Sequence, residues 1–426
     1  MSHPVPTFSY AARLALLAVL ALGGPCACFS LPANDSVSSS PPPANLSDEC
    51  IVLLGNTVIE RASRYGYLDA AVTAGWRNSS APRIRNLGWS GDTVHGDARS
   101  YFGPAAEGIQ RLTDQLVEIR PTVVVLAYGA VASFDGKEGL QSFGKGLESL
   151  VELVQSIDAR VVLATPTPLE DLGPPLKSPS RHNEDVALYA KFIHDFSDKH
   201  NLEVIDLHNA VETQHSREDW KLTDNGMHFT ALGYWVLART VAEGLGAPVS
   251  DWRVELNARE EKVRSIGTKV EQLTAGDSSL VFRTTDESLP LCPPPANAPT
   301  GAWQTAPERT LRVRGLTPGS YTLRVDGKEV MTAKAEEWAR GLRVTGAPEF
   351  ERAEALRRAV IEKNRLLFHR WRPQNETYLR GFRKHEQGEH AVEIGQFDPL
   401  IASLEKEIAG LRLPIGHRYE IHRRAP

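Results

Sequence analysis

The stretch Ile51-Val52-Leu53-Leu54-Gly55-Asn56-Thr57-Val58-Ile59-Glu60 sets the pattern for the first half of the chain. Four apolar residues run without a polar break into a Gly-Asn-Thr turn. An unbroken run of this kind is what a strand buried on both faces requires. Four further runs, most of them nearly continuous, follow it: Ile84 to Leu87, Val123 to Ala127, Val161 to Ala164 and Val204 to Leu207. Amphipathic segments lie between them. One carries Leu140, Phe143, Leu147, Leu150, Val151 and Val154, mostly three and four residues apart, which is the helical period. Strands alternating with helices predict an α/β domain over residues 49–247, with a three-layer, flavodoxin-like parallel sheet and right-handed crossovers.

Upstream of this domain, Arg13 precedes the apolar run Leu14 to Leu22, and small residues follow from Gly23. Residues 1–28 therefore read as a signal peptide, too short in its apolar core to span a bilayer. Cys26 and Cys28 are candidates for lipid anchoring, although neither follows a good lipoprotein-type sequence. Residues 29–48, rich in Ser, Pro, Asn and Asp, read as a disordered linker. The expectation is an exported protein, periplasmic or extracellular, with no transmembrane segment after signal removal. Beyond the signal region only Cys50 and Cys292 remain. Export permits a disulfide between them, while sparse cysteine usage favours two separate buried thiols.

Downstream the alternation stops. Residues 248–345 read as a β-rich domain. Its best local signal is Tyr321 to Val325 and Lys328 to Thr332 on either side of Asp326-Gly327, which predicts a hairpin with a type I′ turn. Residues 346–426 read as a helical C-terminal extension, with helical period over residues 350–368 and a second helix from Pro399 to Leu411. Net charge is −5 over 426 residues. That balance gives no electrostatic argument for nucleic acid.

In an open parallel sheet, ligands bind at the carboxyl ends of the strands. Four polar or glycine-rich clusters fall where those ends should be. They are Gly55-Asn56-Thr57, the segment Asn86 to Thr93, Tyr128-Gly129-Ala130-Val131, and Asp224-Asn225-Gly226-Met227-His228. In this order the four blocks resemble those of the SGNH (GDSL-like) hydrolases, in a bacterial branch with a long C-terminal extension.

The resemblance implies an ester hydrolase, with acylated carbohydrate as a candidate substrate. It implies Thr57 as nucleophile in place of serine, His228 as general base, Asn225 or Asp224 orienting the ring, and the backbone amides of Gly91 and Thr57 holding the oxyanion. No metal or organic cofactor is implied. Three positions depart from the family pattern: Thr57 for serine, Asn225 for aspartate, and Val131 for an oxyanion-donating asparagine. Thr57 and Glu60 also spell a helix capping box. Gly91-Asp92-Thr93 imitates the nucleophile motif but follows the wrong strand.

Asn56 and Val131 are pocket-lining candidates. In the extension, Arg370, Asn375 and His385 sit in a block of aromatics and forked donors. They are expected either to line the pocket and replace the donor missing at Val131, or to form a packed seam between domains. The rival to hydrolysis is an inactive module that binds glycan or a protein partner. The sequence sets no oligomeric state.

Overall fold

In the computed structural model, β1 (Cys50–Gly55) is buried along its whole length. The structure describes residues 49–424, except 102, 216, 218, 219, 277, 380 and 387–389. The signal peptide and linker expected over residues 1–48 lie outside the described residues. After β1 come α1 (Thr57–Ala62), α2 (Tyr67–Gly75), β2 (Arg83–Asn86), α3 (Ala105–Ile119) and β3 (Val123–Ala127). Then follow α4 (Leu140–Ser156), β4 (Arg160–Ala164), α5 (Ser180–His200), β5 (Glu203–Ile205), α6 (Leu207–His215) and α7 (Ala231–Gly244).

The five strands pair in parallel, in the order β2-β1-β3-β4-β5. Alternation of side chains along each strand builds two cores. Ile51, Leu53, Val123 and Val125 face α2 and α7, while Val52, Leu54, Val124 and Leu126 face α3, α4 and α5. The inner strands β1, β3 and β4 lie between two helical layers and carry almost no polar break, whereas the edge strands β2 (Arg83–Asn86) and β5 (Glu203–Ile205) are only partly buried and carry polar residues. The order reverses direction between β1 and β3, so the crevice for a ligand opens there.

The remaining strands form two further sheets. One contains β6 (Trp252–Asn257), β7 (Lys262–Ile266), β10 (Arg309–Arg314) and β13 (Leu342–Arg343). The other contains β8 (Thr268–Ala275), β9 (Ser279–Asp286), β11 (Ser320–Val325), β12 (Lys328–Lys334) and β14 (His417–Arg423). Their inner faces share one core, in which Val254 and Leu311 meet Phe282, Leu323 and Ile421. The β11–β12 turn has positive φ at both Asp326 and Gly327, as a type I′ turn needs. The extension read as helical also supplies β14, which lies between β9 and β11.

Short helices α8 (Ala302–Thr305) and α9 (Ala335–Arg340) decorate the sandwich. Then come α10 (Pro348–Trp371), α11 (Glu376–Leu379) and α12 (Phe397–Leu411). Helix α10 runs across the α/β domain. Its buried Lys363 donates to Asp69 of α2 at 3.1 Å and to the Ile84 carbonyl at 2.9 Å. At its other end Glu349 accepts from Arg309 at 2.6 Å and from the Tyr419 hydroxyl at 2.6 Å. Arg309 also reaches Asp286 at 2.9 Å, so each buried charge of this network is paired. Cys50 and Cys292 are separate buried thiols, and burial pushes the Cys292 thiol up to about 12. Among the described residues no helix is long and apolar enough to cross a membrane.

Candidate active site

The carboxyl ends of β1, β3 and β4 surround one pocket of about 480 Å³, open to solvent. Asn56, Thr57 and Val58 line it from the β1 end. Ala130, Val131 and Phe134 come from beyond β3, and Thr167, Pro168 and Leu169 from beyond β4. Met227 enters from the loop ahead of α7. The lining residues are mostly apolar, with Asn56, Thr57 and Thr167 as the polar ones.

Helix α1 starts beside the pocket because Asn56 caps it. The Asn56 carboxamide oxygen accepts from the Val58 N–H at 3.4 Å. The capping box expected of Thr57 and Glu60 does not form. Glu60 turns away instead: its carboxylate accepts from the Ser90 N–H at 2.5 Å and from Arg372 at 3.2 Å. Thr57 is thereby spared a capping role and is half-buried on the pocket wall.

One turn beyond Thr57, Arg61 pairs with Asp224 at 3.2 Å. That contact joins α1 to the loop carrying His228. Asp224 is exposed and its carboxylate faces Arg61. Asn225 is the residue beside the ring: its Nδ2 lies 3.4 Å from His228 Nδ1. Its Oδ1 accepts from the N–H groups of Met227 at 3.2 Å and His228 at 2.8 Å. Partial burial lowers the His228 pKa, and the positive charges of Arg61 and Arg64 lower it further against the opposing pull of Asp224. No hydrogen bond joins the Thr57 hydroxyl to the His228 ring among the described residues; apo sites are often loose in this way.

Glu170, which the sequence did not single out, fixes that loop. Its buried carboxylate accepts from the Leu222 N–H at 2.9 Å, the Thr223 N–H at 2.7 Å and the Thr223 hydroxyl at 2.5 Å. Its own N–H donates to the Gly226 carbonyl at 2.8 Å. Gly226 has φ near 87°, and a Cβ there would sit 2.9 Å from the Glu170 carbonyl. The pocket wall after β4 and the His228 loop are therefore one unit.

Gly91 is exposed with φ of 78°, in the turn after β2. Asp92 is fully buried, accepting from Arg99 at 2.7 Å and from the Tyr128 hydroxyl at 2.9 Å. The imitation motif at 91–93 is thus a structural knot beneath the loop. The Val131 side chain offers the pocket only carbon, and among the described residues none of the extension lines it.

The expectation that Arg370, Asn375 and His385 line this pocket is corrected. Arg370 bonds Glu118 and Asp398, each at 2.8 Å, and lines a separate cavity along β2. Asn375, at φ of 65°, uses its carbonyl to start α11. His385 is exposed in a short 3-10 turn. The extension approaches through Arg372 and Trp371. The Arg372 guanidinium lies 3.7 Å from the centre of the Trp89 ring, and Trp371 meets the same ring edge-on. No group of three His, Cys, Asp or Glu side chains that could hold a metal ion is found among the described residues.

A family model described as GDSL-like lipase/acylhydrolase matches residues 58–236. This part of the chain is thus similar to the GDSL-like lipase/acylhydrolase family. The matched span opens directly after Thr57 and ends inside α7, so it contains the pocket loops and the His228 loop. Among solved structures, the chain is similar to a gut microbial diltiazem-metabolizing enzyme at 14% identity and a TM-score of 0.69. That match covers 89% of this chain and 98% of the other, so the shared fold extends beyond the GDSL-like domain. An acetyl xylan esterase of Geobacillus stearothermophilus matches at 17% identity and a TM-score of 0.38, over 47% of this chain and 96% of its own. No curated protein matches in sequence.

Proposed function

We propose that the GDSL-like domain hydrolyses an acyl ester bound at the switch point of its sheet. Thr57 attacks the carbonyl carbon, and His228 takes the hydroxyl proton and returns it to the leaving alkoxide. Water then releases the acid from the threonyl ester. The backbone amides of Thr57 and Gly91 are assigned to the oxyanion. The observation that carries this reading is the shared pocket: the alcohol that begins α1, the β3 loop and Met227, next to His228, line one cavity.

Its apolar walls suit an acyl chain. Acylated carbohydrate is the substrate class proposed for an exported protein of this family. The lowered His228 pKa keeps the ring neutral, as a base must be, at neutral pH. Turnover is expected to be modest, because a missing oxyanion donor such as that at Val131 costs about 10²–10³ in kcat.

Two observations favour a second reading, in which the pocket holds an ester or glycan without turning it over. Val131 supplies no donor, and the residue at His228 Nδ1 is an amide rather than a carboxylate. An ester panel run on wild type, Thr57→Ala and His228→Ala separates the two. The hydrolytic reading predicts measurable activity that falls at least about 10²-fold in both variants. Absence of activity across the panel, with ligand binding retained, supports the second.

A further inference from the structure

The Asn225 carboxamide has little choice of orientation. Its oxygen accepts from two consecutive backbone N–H groups, those of Met227 and His228. Turning it over would present NH₂ to two donors. The amide nitrogen is therefore the atom that faces His228 Nδ1 at 3.4 Å. An amide nitrogen donates and does not accept. Nδ1 must then be the accepting nitrogen of the neutral ring, and the ring proton sits on Nε2.

A base that takes a proton from Thr57 through Nε2 needs the opposite arrangement, with the proton on Nδ1 and the lone pair on Nε2. Nor does Asp224 supply an acceptor at Nδ1, because its carboxylate is engaged by Arg61.

We infer that Asn225 is a positioning residue that holds His228 in the tautomer with Nε2 protonated, so that the resting ring presents a donor at Nε2 and acts as a base only from its minor tautomer. This rests on the assignment of His228 to the reaction. It adds that the site binds an acceptor, such as an ester carbonyl, more readily than it turns it over. Asn225→Asp reverses the arrangement. One carboxylate oxygen keeps the two backbone N–H groups and the other accepts from Nδ1–H, which leaves the Nε2 lone pair free.

The test reads the tautomer directly. Nitrogen-15 NMR of histidine-labelled protein, above the pKa of His228, distinguishes a protonated from an unprotonated ring nitrogen. Wild type should show Nδ1 unprotonated and Nε2 protonated, and Asn225→Asp should show the reverse. In the ester assay the Asn225→Asp variant should gain roughly 10²-fold or more in kcat, the converse of the loss of about 10⁴ that an Asp-to-Asn change causes in a serine protease triad.

Asn225→Ala removes the lock without adding an acceptor, and should show a mixture of tautomers if the aspartate variant fails to fold. A wild-type ring with the proton on Nδ1 overturns the inference whatever the activity. The expected wild-type tautomer with no gain of activity in a folded Asn225→Asp variant leaves the lock in place and overturns the hydrolytic reading instead.

Discussion

Arg61 shows how much of this site depends on single side chains one turn away from the chemistry. It follows Thr57 by four residues, so the two share a face of α1. It pairs with Asp224 and, after partial burial, is the next influence lowering the His228 pKa. The sign follows from the charges. A cation beside the ring disfavours a second positive charge, so the ring stays neutral to a lower pH than a free imidazole near 6.5. Activity that needs the neutral ring is present above that lowered pKa and is lost as pH falls through it. Replacing Arg61 by Gln removes the cation and frees the Asp224 carboxylate, and both changes raise the His228 pKa. The acid limb of the kcat/KM profile should move to higher pH in the Arg61→Gln variant. An unmoved or acid-shifted limb would show that the titrating group is not His228.

At the scale of elements, strands were legible and contacts between distant loops were not. Burial on both faces gives β1, β3 and β4 nearly continuous apolar runs that could be read from the sequence, while the edge strands β2 and β5 were legible only as short, broken ones; the blocks at the strand ends followed. The hairpin at Asp326-Gly327 was legible because its turn demands two positive φ values. The Thr57–Glu60 capping signature misled, because Glu60 is claimed by partners 30 and 312 residues away that no local pattern reveals. For the same reason Arg370 drew attention in a block whose working member is Arg372. Glu170 carried no motif and is defined only by three donors brought to it by the fold.

Arg372 stacks on Trp89 and bonds Glu60, and Glu60 holds the Ser90 N–H next to Gly91. The extension therefore braces the turn assigned to the oxyanion. Arg372→Ala should lower kcat roughly 10-fold to 10²-fold with KM little changed, the usual cost of misplacing a reacting group. It should also change the fluorescence of Trp89, measured against a Trp89→Phe control. A rise in KM alone would assign Arg372 to substrate binding.

Across the whole molecule, the chain's last strand closes its middle part. Strand β14 lies between β9 and β11 and contributes the fully buried Tyr419 and Ile421 to the sandwich core. Tyr419 also joins the buried network of Arg309, Asp286 and Glu349, which ties the sandwich to α10 and through it to the α/β domain. Sequence alone placed the boundary of the β-rich part near residue 345, because a strand that returns from the far end leaves no local mark. Removing residues 412–426 should leave two unpaired strand edges and an open core. The shortened protein should be rapidly proteolysed within residues 250–345. Replacing Arg309 by Leu strands buried carboxylates and should cost about 3–5 kcal/mol, read from denaturant unfolding.

The proposal that an alcohol on α1 and a ring 171 residues later act on one ester is tested most directly by covalent trapping. Wild type and Asn225→Asp would be treated with an alkyl fluorophosphonate, which captures an activated hydroxyl, and the adduct located by peptide mass spectrometry. A single adduct on Thr57 is expected, formed faster in Asn225→Asp and lost in His228→Ala. An adduct on another residue, or none in a folded Asn225→Asp protein, would contradict it.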